Sequence, residues 1–132
     1  MAAIEVFRSE YTTISMDPRG PLVRMVRSDL QFQSLDALER CVAEMIRTLD
    51  SIGRDGRVLF SDLRAVQGRN DPAFEERMAK LRPRLYEGFV RVGILVRSSV
   101  GALQIRRLVM QDGRACMVMT DEAALLEYLL YG

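Results

Sequence analysis

Apolar residues change their spacing along this chain, and each change marks an element. In residues 4–27 they alternate with polar ones, as in "TTISM" around Ile14 and Met16 and again in "LVRMVR". Alternation suits a half-buried strand, because successive side chains point to opposite faces of a sheet. Between these runs, Asp17 to Pro21 holds two prolines and a glycine, the composition of a turn. The first part of the chain is therefore predicted to be an antiparallel meander.

At Ser34 the period lengthens. Leu35, Leu38, Val42, Met45, Leu49 and Ile52 recur at three- and four-residue steps and define one helical face. Ser34 suits the N-cap, where a hydroxyl accepts an orphan amide of the first turn, and Asp36 favours the positive end of the dipole. Gly53 and Gly56 end the helix.

From there the two patterns take turns. "RVLFSDL" (57–63) is a short apolar run of the kind found in buried parallel strands. Asp71 and Pro72 suit N-cap and first turn of a second helix with Phe74, Met78, Leu81 and Leu85 as its core stripe. Glu76 and Lys80 are spaced to pair on it, and Pro83 is expected to kink or tighten its end. A strand over 89–96, a helix over about 99–111, a strand at "RACMVM" and a helix opened by Thr120, Asp121 and Glu122 complete the chain. The order βββ-α-β-α-β-α-β-α predicts a single α/β domain. Its mixed sheet has N-terminal antiparallel strands followed by parallel βα units, covered by about four helices.

Composition narrows the chemistry. Over 132 residues the formal charge is +1, so no long-range field favours nucleic acid or an anionic membrane. No histidine is present, which removes histidine relays and histidine metal sites. Of the 19 basic residues only Lys80 is a lysine. Arginine forks onto carboxylates and phosphates where lysine cannot, although codon bias gives the same skew. Cys41 and Cys116 lie in apolar segments and read as small buried thiols of a reducing compartment; their spacing leaves open whether they approach each other. The start "MAAIEVFRSE" is too charged for a signal peptide, and no run is long enough to span a bilayer. A cytoplasmic location without membrane insertion is expected.

The antiparallel start, the repeated αβ units and the polar loop after "VLFSDLR" resemble the STAS superfamily, which includes anti-sigma-factor antagonists and cytoplasmic domains of sulfate transporters. The ending "TDEAALLEYL" is similar to its bacterial SpoIIAA-like branch. The resemblance implies a non-enzymatic signalling regulator that binds a protein partner. In the antagonists a serine at the start of the helix after the "D-L-S" strand is phosphorylated. This chain has Asp62-Leu63-Arg64 there and no serine, threonine or tyrosine between Ser61 and Tyr86. The phosphoswitch is not carried over.

In open α/β sheets, ligands approach the carboxyl ends of the strands. Three such ends can be named: Asp62 to Asp71, Arg97-Ser98-Ser99, and Thr120-Asp121. The candidate partner- or anion-binding residues are Asp62, Arg64, Gln67, Arg69, Asn70, Asp71, Arg97, Ser98 and Ser99. The bland alternative is that Asp71, Ser98 and Thr120 only cap helices while the arginines are solvated or pair with Asp62 and Asp71. No cofactor, metal or catalytic residue is assigned. A protein partner is the favoured reading, with the apolar last two helices offering a homodimer or partner surface. The alternative is a small lipid-like ligand admitted between the third and fourth helices. An enzyme using Asp62 with Asp71, or a carboxylate near Arg97, for acid–base work ranks below both.

Overall fold

A computed structural model describes residues 3–68 and 71–132. Three strands come first: β1 (Ile4–Arg8), β2 (Thr12–Met16) and β3 (Leu22–Arg27). Then follow α1 (Leu35–Ile52), β4 (Val58–Asp62), α2 (Pro72–Tyr86), β5 (Arg91–Leu95), α3 (Ser99–Gln111), β6 (Met117–Met119) and α4 (Glu122–Tyr131). One mixed sheet runs in the order β1-β2-β3-β4-β5-β6, antiparallel through β3 and parallel from β3 onward. This is the predicted α/β architecture, with shorter strands at β5 and β6 than the apolar runs suggested.

Sheet order explains the layers. Right-handed crossovers that always step in the same direction place their helices on one face. Leu38 and Leu49 of α1, Leu85 and Tyr86 of α2, and Ala102 and Val109 of α3 accordingly share one core with Val23, Leu59, Val92, Ile94 and Val118. Only three helices are crossovers. The fourth follows β6 and lies over the opposite face, where Leu125 and Leu129 pack on Val58, Phe60 and Leu95.

Register aligns side chains into rows across the sheet. On the three-helix side Ile14, Met25, Ser61, Ile94 and Val118 lie side by side, so Ser61 is the one polar member of a buried row. On the other side the row is Ser15, Arg24, Phe60, Gly93 and Met117. Gly93 is where α4 comes closest: a Cβ there would lie 2.6 Å from Leu125 Cδ1 and 3.2 Å from Leu129 Cδ1. Its missing side chain sets the approach of α4 to the sheet.

The local signals held. Ser34 accepts the Ala37 amide at 3.0 Å, and α1 ends at Gly53, whose φ of 84° only glycine adopts without strain. Pro83 sits in the last turn of α2. The ion pair formed by α2 with α1 is Arg77 to Glu39 at 2.8 Å; the expected Glu76–Lys80 pair is not among those formed within the described residues.

Candidate functional site

The carboxyl ends of β4 and β5 stand next to each other, with Asp62 opposite Leu95. Asp62 is 7% exposed and points to the α4 side. Its carboxylate accepts the Arg64 amide at 3.0 Å, Arg64 Nε at 3.1 Å and Arg64 Nη2 at 2.8 Å. Arg64 Nη2 also lies 3.1 Å from Glu122 Oε1, and Arg24 Nη1 lies 3.7 Å from Glu122 Oε2 while its guanidinium stacks over Phe60. Burial alone would raise the Asp62 pKa. The Arg64 hydrogen bonds, with the charges of Arg64 and Arg24, outweigh it and hold the carboxyl below its ordinary value.

Arg64 is held by both acids while its side chain stays half-exposed, and it ties the end of β4 to the first turn of α4. The bland pairing of Arg64 with Asp62 is the one formed, and Glu122 is a further partner that spacing did not indicate.

Beyond the tie, Leu63 donates to the Leu95 carbonyl at 2.8 Å and Val66 to the Leu63 carbonyl at 3.1 Å, a tight turn. Ala65, Gln67 and Gly68 are exposed. Arg69 and Asn70 lie outside the described residues. Asp71 caps α2 through the Ala73 amide at 3.1 Å, and Ser98 caps α3 through the Gly101 amide at 3.1 Å. Arg97 and Ser99 are exposed on either side of Ser98. At α4 the cap is Asp121, not Thr120: its carboxylate accepts the Ala124 amide at 3.3 Å.

Two buried polar contacts lie under the helices, where only apolar stripes were expected. Arg82 of α2 forms a two-pronged ion pair with Asp112 at the end of α3, both side chains almost fully buried. Tyr86 is buried against the sheet, hydrogen-bonded to Ser61; burial pushes its pKa up to about 12 against the opposing pull of that bond. Position 82 shares its helical face with Met78 and Tyr86. An arginine on that stripe was the available sign that a carboxylate must come from elsewhere.

The arginine excess has a structural use. Arg54 Nη1 donates to the carbonyls of Arg84, Leu85 and Glu87 at 2.7–3.0 Å, closing the end of α2. Arg27 reaches Tyr11 and Leu30, Arg57 reaches Gly20, Arg91 reaches Leu129, Arg106 reaches Val118 and Arg114 reaches Phe89, each at a backbone carbonyl. A guanidinium presents five donors in a fixed fork and can satisfy carbonyls that helix ends and edge strands leave unpaired. Arg106 in addition blunts the outer edge of β6.

Cys41 is buried and Cys116 half-buried; both are free thiols whose pKa burial raises. Among the described residues no group of three or more metal-ligating side chains assembles, and no helix is long and apolar enough to cross a membrane. The helices α3 and α4 lie on opposite faces of the sheet, in separate cores. A groove of about 550 Å³ lies beside α1, lined by residues that include Phe7, Glu44, Arg47, Thr48 and Ile52. Comparison with protein-family models, curated proteins and solved structures finds no match for this chain.

Proposed function

We propose that the chain is a cytoplasmic, non-enzymatic regulatory or adaptor domain of STAS-like type. It engages a protein partner at the rim formed by the 62–71 connection and the start of α3. The observation that supports this most is the juxtaposition of the exposed Gln67 and the exposed polar run Arg97 to Ser99 on the ends of two paired, buried strands. Polar loops on a rigid sheet end are where α/β domains place recognition. Asp62, Arg64 and Glu122 act as the fixed support of that rim. Gln67, Arg69, Asn70, Arg97 and Ser99 meet the partner, while Asp71 and Ser98 set the helix starts behind them.

The test is quantitative affinity purification from the host with the wild-type chain and an Arg69→Ala/Arg97→Ala variant. The reading expects at least one host protein to fall about tenfold or more in the variant, the scale of one lost interfacial hot spot. Equal recovery of every protein would refute it.

A further inference from the structure

We infer that the outer face of α3 docks a partner segment that is itself amphipathic, with aliphatic side chains flanked by carboxylates. The inference rests on the binding-module reading and names the chemistry of the partner. Of seven exposed large apolar side chains in the described residues, three lie on this helix: Val100 at 67%, Leu103 at 61% and Met110 at 79%. Helical geometry sets Val100, Leu103, Arg107 and Met110 on one stripe, about 15 Å long at 1.5 Å per residue. That length suits two to three turns of a partner helix laid alongside.

Charge selects the occupant. From Ser98 to Gln111 the segment contains no acid, and Asp112 beyond it is spent on Arg82. Arg106 is spent on the Val118 carbonyl. Arg107 within the stripe and Arg97 at its N-terminal end are exposed and have no hydrogen bond or ion pair among the described residues, in a fold that commits many of its other arginines. A second copy packing here would set Arg107 against a face with its own Arg107 and no carboxylate, so like charges would go uncompensated. A bilayer would meet three aliphatic side chains and two arginines, little apolar area for interfacial anchoring. A carboxylate-flanked aliphatic segment satisfies both features together.

The experiment selects a displayed library of random peptides, about 16 residues long so that short helices can form on binding, against the wild-type chain. A Leu103→Ser/Arg107→Glu variant serves as counter-target; both positions are exposed, so folding is preserved. The expected result is enrichment of net-acidic sequences with aliphatic residues at three- and four-residue spacing. Their affinity should fall about tenfold or more on the variant, a loss of about 1.4 kcal/mol, and should weaken with added salt. Neutral or basic enriched peptides, or no enrichment, would overturn the inference. Peptides that bind through the rim, lost with Gln67→Ala/Arg97→Ala but not with the α3 variant, would overturn it while leaving the binding-module reading standing. Two further results would also overturn it: a concentration-dependent dimer abolished by Leu103→Ser, and sedimentation with phosphatidylserine-containing vesicles that depends on Leu103 and Arg107.

Discussion

Replacing Tyr86 by phenylalanine should destabilise the fold at neutral pH and stabilise it in alkali. At neutral pH the substitution leaves the Ser61 hydroxyl, 2% exposed, without its partner under α2. A buried polar group left unpaired costs about 1–2 kcal/mol. In alkali the sign reverses. The unfolded tyrosine ionises at its ordinary value of 10.0, the folded one at about 12. A raised folded-state pKa contributes stability that is complete below the unfolded value and is lost as pH climbs through the folded one. The wild type therefore weakens from about pH 10, by about 1 kcal/mol at pH 11 and approaching about 3 kcal/mol beyond pH 12. Phenylalanine has no proton to lose. The two stability curves should cross near pH 11.

Urea unfolding followed by circular dichroism, from pH 8 to just above the crossing, reads the difference directly. Arginine keeps its charge through this range, so an arginine-rich chain loses few cations that would blur the result. Tyr131→Phe, at an 83% exposed side chain, controls for general alkaline effects. Curves for Tyr86→Phe and wild type that stay parallel across the range would refute the reasoning, since they would mean that Tyr86 is not a buried neutral phenol in the native state.

Four further outcomes follow from the same contacts. Arg54→Met removes the guanidinium that lies over Phe89 and releases three carbonyls at the end of α2, and should cost about 2–3 kcal/mol in urea unfolding; a loss under about 0.5 kcal/mol would contradict that role. Asp112→Asn or Arg82→Met alone should cost about 3–5 kcal/mol, and the double variant Arg82→Met/Asp112→Leu should recover most of it, because the penalty is the orphaned partner; additive losses would argue against a coupled pair. Gly93→Ala forces a methyl into Leu125 and should cost about 1–3 kcal/mol, partly relieved by Leu125→Ala; equal cost in both backgrounds would disprove the close approach. Asp62 has a depressed pKa, so its contribution is present above the unfolded value and is lost as pH falls through the folded one; the stability gap between wild type and Asp62→Asn should be constant above about pH 5 and close on acidification, whereas a gap that persists at low pH would sever the carboxylate from the tie.

The elements were legible because their signals are local. The three- and four-residue recurrence from Leu35 to Ile52 needs no tertiary information, nor does a serine or aspartate placed before an apolar run, and Ser34, Asp71 and Ser98 all cap as their positions imply. The face chosen by α4 was not legible. That helix is apolar over most of its circumference, so its periodicity names no buried side. Its place follows from topology, since three crossovers in one direction already fill the other face. The site was half legible for the same reason. Asp62 and Arg64 are two residues apart and their pairing was one of the bland alternatives, but Glu122 reaches them only after the chain has passed through two more strands and two helices.

The arginines show why counting a residue type says little about function until its partners are known. Eighteen guanidinium groups in a nearly neutral chain fitted either codon bias or anion recognition, yet many of those in the fold hold carbonyls or buried carboxylates. Arg64, the residue that best fitted an anion-binding loop, is among them. A committed arginine cannot add much to binding, because a new anion must compete with partners already at hydrogen-bond distance. Recognition at the rim therefore falls on the other proposed residues, Gln67, Arg69, Asn70, Arg97 and Ser99. On the α3 face Arg107 stands uncommitted among Val100, Leu103 and Met110. Both surfaces carry arginine, so binding at either should weaken as salt screens it. The affinity of one bound partner, measured with Gln67→Ala and Arg107→Glu in parallel, separates the two surfaces.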